Sequence, residues 1–380
     1  MRKLWHLWLI FSRLGLTSFG GPSAHIGFFR DEFVTRRHWL SDDEFAQDNA
    51  LCQIMPGPAS SQLGMLIGAR QAGLLGSIVA WLAFTTPSAL LMLLAINGST
   101  WLNNYPTVIH GLLIGAASVV AHAIWGMAKS FCVDRPRQLL AFGTAIILLL
   151  FPFPWLQLAV LLGAGLIGAF TLTTASPVAT RQPAVISRTG GGVLLVVFAI
   201  LLTVSLVTSK SLSWLYQTGA LVFGGGHVVL PMLQQRFVGM GIISNDQLIS
   251  GYAIAQILPG PLFAFSAFVA GISAAGSWWW GIAGLVAIFL PGWLLIIGIQ
   301  PWWQQLTQHV SVYRALLGIQ AAVVGLLGAT LWDPLMRHAL LLPTDVALWV
   351  AGFAALHVLK LPAWHIALAC ALIGAARSLI

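Results

Sequence analysis

A motif rich in glycine and proline occurs twice in this chain, both times inside apolar sequence where lipid would normally forbid a break in a helix. The first copy reads Phe19-Gly20-Gly21-Pro22-Ser23, followed by Gln53-Ile54-Met55-Pro56-Gly57-Pro58. The second, about 204 residues on, reads Phe223-Gly224-Gly225-Gly226-His227, then Gln256-Ile257-Leu258-Pro259-Gly260-Pro261. Pro87 and Pro291, and Gly111-Leu112-Leu113 and Ala315-Leu316-Leu317, keep the same spacing, so the duplication spans most of the chain. Broken hydrophobic segments at matching positions of two halves are the sequence sign of a secondary transporter with its substrate site at the repeat interface.

The solvent is fixed by composition. Of 380 residues, 58% are hydrophobic and 7% charged, against about 25% charged in soluble domains. Apolar stretches recur at 74–96, 107–128, 138–151, 155–173, 192–208, 278–299, 311–332, 339–357 and 363–376. They are continuous rather than alternating, which predicts helices and excludes a barrel. No sequence remains for a soluble domain. The net charge of +8 is read as orientation signal rather than nucleic-acid surface, since no basic run is interleaved with aromatics. Cys52, Cys132 and Cys370 lack redox or metal spacing and read as packing residues, so no disulfide, metal or cofactor is predicted. Arg2 and Lys3 precede no small-residue cleavage site, and the first segment is expected to stay. Trp278-Trp279-Trp280 and Trp302-Trp303 read as interfacial belts.

Loop charges predict a topology. If 4–34 and 42–72 are hairpins entering from the cytoplasm, four further spans return the chain inside at 176–188. The unmatched helix at 192–208 then inverts everything after it. The second hairpins, 210–238 and 245–272, enter from outside and the C-terminus ends there. This places thirteen Lys and Arg side chains inside and four outside, as the positive-inside rule requires. The expected architecture is all-α and integral to the membrane. It has two inverted homologous repeats, 1–175 and 209–380, joined by a linker and inverting helix, 176–208. Each repeat would hold two broken-helix hairpins and four spanning helices. The 17 residues from Lys3 to Gly20, about 25 Å of helix, leave a break within a full span as the alternative to a hairpin.

Glycines at these breaks can end one helix and the prolines can start the next. Each break thereby aims a helix N-terminus, with free N–H groups and partial positive charge, at the interior, which suits an anion. Predicted binding residues are Gly20, Gly21, Pro22, Ser23, His25, Gln53, Pro56, Gly57, Pro58 and Ser60 in the first half, and Gly224, Gly225, His227, Gln256, Pro259, Gly260 and Pro261 in the second. Ser61, Gln62 and Ser266 lie among them. Arg13, with Gln217 at its repeat position, either faces this space or snorkels to the surface. Hydroxyl, amide and imidazole donors suit a tetrahedral oxyanion. His25, Asp48 and His227 are the candidate proton carriers. Ser41 and Ser244 read as helix N-caps, with acidic first-turn residues after them.

The paired Phe-Gly-Gly and Pro-Gly-Pro motifs resemble the two-domain, long-chain members of the CHR chromate ion transporter family. The resemblance implies secondary-active export of chromate across a bacterial-type inner membrane, with sulfate as a competing analogue. It also implies origin by duplication in opposite topologies. The bilayer and an oxyanion are then the partners, and a homodimer is left open. Departures are Gly226 for Pro22 and Gln217 for Arg13, which make any site asymmetric. Transport of sulfate or another oxyanion shares every feature. An intramembrane enzyme would need a polar catalytic pair at an aqueous face, which His309 and His338, with only Asp333 nearby, do not supply.

Overall fold

A computed structural model describes residues 2–18, 21–102, 106–151, 156–173, 184–208, 210–222 and 229–377. Among these, every regular element is helical. The first half runs α1 (Arg2–Thr17), α2 (Gly21–Arg30) with a π-helical turn at Asp31–Arg36, α3 (Asp42–Ile54), α4 (Ala59–Leu102), α5 (Pro106–Phe131), α6 (Arg135–Leu150) and α7 (Leu156–Thr171). Helix α8 (Arg188–Val207) follows. The second half runs α9 (Ser211–Leu221), α10 (Val229–Leu233) with a π-helical turn at Gln234–Val238, and α11 (Asn245–Ile257). It continues with α12 (Phe265–Ser273), α13 (Trp278–Ile299), α14 (Trp303–Gln308), α15 (Val310–Thr330), α16 (Arg337–Ala339), α17 (Pro343–His357) and α18 (Ala363–Arg377).

Local chemistry repeats between the halves. Ser41 caps α3 through a capping box with Glu44, and Ser244 caps α11 through one with Gln247, so both helices start where a hydroxyl satisfies the orphan N–H groups. Helix α4 is really two arms, because Ala72 and Gly73 leave helical geometry. The second half makes the same bend between α12 and α13, where Ala275 and Gly276 have φ of 54° and 86°. Gly15 lets α1 lie against the second arm of α4, since a Cβ there would meet the Phe84 carbonyl oxygen at 2.5 Å. Gly219 does the same for α9 on α13, at 2.0 Å from the Ile288 carbonyl oxygen. Small residues at such crossings let backbones approach where lipid offers no hydrophobic drive.

The last two helices of each half pack against the other half. Helices α6 and α7 lie on α15, while α17 and α18 lie on α5. The seams are backbone-tight: a Cβ at Gly318 would meet the Ala164 carbonyl oxygen at 2.3 Å, and one at Gly111 the Cys370 carbonyl oxygen at 2.1 Å. Two aromatic-rich cores result. One centres on Phe11, Phe29, Phe33 and Phe84, closed by Ile296 and Ile297 of the second half. The other centres on Tyr252, Phe265, Phe268 and Phe289, and takes in Met92, Leu93 and Ile114 of the first.

Five helices among the described residues are long and apolar enough to cross a membrane: Ala59–Asn97, Thr107–Phe131, Arg188–Val207, Trp278–Trp302 and Val310–Asp333. The expectation of four such spans per half meets a difference at α6, α7, α17 and α18, which have 16, 16, 15 and 15 residues. At 1.5 Å per residue these reach about 22–24 Å, short of ~30 Å of hydrocarbon. Proline marks one of these ends: Pro343 opens α17, where its missing N–H costs nothing. Helix α8, which has no counterpart in the first half, is mostly uncovered: Val193, Val196, Ile200, Val204 and Val207 are all exposed, as a lipid-facing helix requires.

Candidate functional site: the junction of the helix breaks

The two Pro-Gly-Pro loops are built alike and reach into opposite halves. Helix α3 stops at Ile54, Met55 turns extended, Gly57 takes φ of +126°, and Ala59 opens α4 directly after Pro58. In the second half Leu258 turns extended, Gly260 takes φ of +97°, and Pro261 leads through a 3-10 turn, Leu262–Ala264, into α12. Only glycine adopts such φ values without strain. The Gly57 N–H donates to the Val222 carbonyl at 2.7 Å, and the Gly260 N–H donates to the Ser18 carbonyl at 2.9 Å. Ser18 and Val222 are the residues that directly follow α1 and α9. Each loop therefore closes the broken helix of the other half.

Side chains extend this reciprocity. A Cβ at Gly57 would lie 3.1 Å from Gly292 Cα, and one at Gly260 2.9 Å from Ser88 Oγ; positions 88 and 292 each follow by one residue the matched prolines Pro87 and Pro291. Gln62 donates to the carbonyls of Pro56, at 2.9 Å, and Gly292, at 3.1 Å, tying the first loop to α13. His25 is fully enclosed and bridges two breaks of the first half, with Nε2 3.2 Å from the Ser18 carbonyl and Nδ1 3.2 Å from Ser60 Oγ. A carbonyl only accepts, so Nε2 carries the proton, and in the neutral ring Nδ1 accepts from the Ser60 hydroxyl. Phe84 meets the imidazole edge-on at 5.3 Å. Ser18 thus takes bonds from both Gly260 and His25.

Several buried polar atoms at these breaks have no protein partner: the hydroxyls of Ser18, Ser61, Thr85 and Ser266, and Oε1 of Gln62. Ser18 directly follows α1, Ser61 and Gln62 lie in the first turn after Pro58, Thr85 lies on α4 one turn from Ser88, and Ser266 is the second residue of α12. Leaving such a group unsatisfied costs about 1–3 kcal/mol, so five of them beside the breaks call for a ligand or water to satisfy them.

The charges are paired. Arg13, whose side chain is half exposed, binds the buried Glu32 carboxylate, which also accepts from Arg37 at 2.7 Å and lies 3.7 Å from Arg36. At the equivalent positions of the second half Gln217 meets Arg236, at 3.5 Å. Asp48 and Arg70 form a buried bidentate pair at 2.6 and 2.7 Å, joining α3 to the first arm of α4. Asp48 is thereby held as an ion-pair partner. Gln53 donates to Asn49 at 3.2 Å, and Gln256 hydrogen-bonds Tyr252 at the matching place.

Of the predicted site residues, His25, Pro56, Gly57, Pro58, Ser60, Pro259, Gly260 and Pro261 come together at this junction through the bonds above. Gly21, Pro22 and Ser23 lie in the first turn of α2. Arg13 stands on α1 about 7.5 Å of helix rise before Ser18. Gly20, Gly224, Gly225 and His227 lie outside the described residues. Sequence reasoning missed Ser18, Thr85 and Ser88, which carry no motif. It also missed Glu32 and Arg70 as the partners of Arg13 and Asp48, although the repeat alignment of Arg13 with Gln217 and of Glu32 with Arg236 held the first of these pairings. Among the described residues no three His, Cys, Asp or Glu side chains are grouped to hold a metal, and all three cysteines are free and buried.

A chain whose described residues form only helices, five of them long and apolar enough to cross a membrane, is a multi-pass membrane protein. The sequence profile of the chromate transporter family matches it twice, over residues 5–169 and 209–375, and the chain belongs to that family. It is similar to the chromate transport protein of Pseudomonas aeruginosa, 27% identical over 381 residues, covering 92% of this chain and 86% of that one. The chromate transport protein of Cupriavidus metallidurans is 26% identical over 390 residues, 96% of this chain and 91% of that one. An uncharacterised transporter of Methanocaldococcus jannaschii is 24% identical over 355 residues, 90% and 86% of the two chains. No solved structure matches.

Proposed function

We propose that this chain exports chromate from the cytoplasm as a secondary-active transporter, by alternating access at the junction of its two inverted halves, with sulfate as a competing analogue. The observation that carries the reading is the reciprocal bonding of the two Pro-Gly-Pro loops, Gly57 to Val222 and Gly260 to Ser18. It brings the breaks of both halves to one junction, where buried hydroxyls lack partners. The oxyanion would take its bonds from Ser18, Ser61, Thr85 and Ser266 and from the helix starts at Gly21–Ser23 and Ala59, with Gly20, Gly224, Gly225 and His227 completing the set. Gln53 and Gln256 would steady the helices that end at the loops. His25, enclosed beside this space, is a candidate coupling group together with Asp48 and His227.

The basic loops support a cytoplasmic N-terminus, an outward C-terminus and an inner-membrane location. An inside-negative potential of 100 mV would drive a dianion outward by about 4–5 kcal/mol, so tight binding is neither needed nor useful. Names of the relatives support a chromate substrate, and the same donor set fits sulfate. Uptake of labelled chromate into inside-out vesicles, with sulfate added as competitor and the proton gradient collapsed in parallel, tests the reading. Saturable uptake that sulfate reduces is the expected result. Absence of uptake above vesicles lacking the protein would sink it.

A further inference from the structure

The Glu32 carboxylate is nearly inaccessible, at 4% exposure, yet it is surrounded by more cation than one charge needs. One oxygen takes Arg13; the other takes the Arg37 Nε at 2.7 Å; Arg36 stands 3.7 Å away. His6 of α1 in turn contacts Arg37, at 3.0 Å, and Arg30 is occupied by Asp42 of the α3 start, at 2.6 Å. The side chain of Arg13 is 51% exposed, that of Arg37 only 27%. The two arginines therefore differ in freedom: Arg37 is fixed, whereas Arg13 can swing. Were Glu32 to lose Arg13 it would keep Arg37, so the exchange strands no buried charge. A carboxylate with a single partner could not release it, since an uncompensated buried charge is strongly destabilising. The segment is a π-helical turn in both halves, a distortion that recurs at functional sites. The second half keeps the contact but places Arg236 where Glu32 stands and Gln217 where Arg13 stands.

We infer that Glu32 is an internal anion that parks Arg13 when no substrate is bound and yields it to a doubly charged tetrahedral oxyanion. This rests on the export reading above. Arg13 then serves only while the first half is loaded, and Glu32 recaptures it at release. Glu32 touches no substrate; it acts as a positioning residue through Arg13, and it weakens substrate binding by competing for that side chain.

The test is initial chromate uptake by inside-out vesicles containing the full-length chain, over a range of chromate concentrations, with protein quantified on blots. Glu32→Gln removes the competitor, so KM falls about tenfold, the worth of one charge-assisted bond, while the maximal rate per protein drops because release slows. Glu32→Asp returns KM toward wild type. Glu32→Gln combined with Arg13→Gln shows the raised KM of Arg13→Gln alone. An unchanged KM in Glu32→Gln, with flux lost only in step with protein amount, overturns the inference while leaving export intact. If Glu32→Gln fails to accumulate, Arg37→Gln decides, because Glu32 then grips Arg13 harder: a raised KM supports the inference and an unchanged one overturns it. Wild-type vesicles without uptake overturn the export reading and this inference together.

Discussion

Gly57 and Gly260 are where the two halves hold each other, and replacing either with alanine separates two costs. Backbone strain comes first: Gly57 has φ of +126° and Gly260 +97°, values that cost a residue with a Cβ about 1–3 kcal/mol. Contact comes second. A Cβ at Gly57 would sit 2.7 Å from Gln62 Nε2 and 3.1 Å from Gly292 Cα, and one at Gly260 2.9 Å from Ser88 Oγ. Overpacking of this kind adds about 1–3 kcal/mol, so each variant should lose roughly 2–6 kcal/mol in all. Gly73 supplies the control. It too has a conformation reserved for glycine, φ of +65° and ψ of −158°, but nothing lies within 4 Å of its Cβ position. Gly73→Ala should therefore show the strain alone. Thermal unfolding of detergent-solubilised protein and vesicle flux, measured side by side, should rank Gly57→Ala and Gly260→Ala together and well below Gly73→Ala. Equal losses in all three variants would refute the idea that the loops matter through what they touch in the opposite half.

Asp48→Asn leaves Arg70 without its bidentate carboxylate in a buried site and should lower stability by about 3–5 kcal/mol, read as reduced accumulation and an earlier melt. Asp345→Asn should cost a similar amount, because this fully buried carboxylate accepts from Arg377 of α18 at 2.7 Å, His110 of α5 at 3.0 Å and the Leu342 N–H at 3.0 Å. Ser266→Ala and Ser61→Ala should behave oppositely. Their hydroxyls have no protein partner, so stability should hold or rise while the KM for chromate climbs; an unchanged KM would remove them from the oxyanion site. His25→Ala removes both the bond to Ser18 and that to Ser60 and should abolish flux while the protein still reaches the membrane, as fractionation would show.

What could be read from the sequence was what one residue decides locally. The capping serines 41 and 244 and the helix stops before Pro56 and Pro259 follow from chemistry within a few residues. The repeat spacing told which of these belong together. Partners across the fold could not be read this way. Nothing near Ser18 announces that its carbonyl receives Gly260, because a backbone acceptor has no residue signature. Glu32 sits in a charged run beside Arg30 and Asp31, and Asp48 reads as a proton carrier; their arginines lie 19 positions before and 22 after, and only the packing of α1 on the turn after α2, with the Phe11 ring 5.2 Å from that of Phe33, and of α3 on α4 brings them close. The apolar stretches located α6, α7, α17 and α18 to within a few residues, and only α17 starts clearly late, at Pro343 rather than at 339.

The exchange of terminal helices, α6 and α7 onto α15 and α17 and α18 onto α5, fixes an order in time. Gly111 on α5 meets its backbone contact at Cys370, which a ribosome adds 259 residues later; at about 5–20 residues per second that is a wait of some tens of seconds. Through that interval α5 lies in the bilayer with its closest-fitting face covered by lipid or by a chaperone. Helices made late are thus the ones that close the first half. A chain truncated before α17 would lose the cover of α5 as well as its own end, and the quality of membrane insertion at the C-terminus decides whether the N-terminal half ever becomes whole.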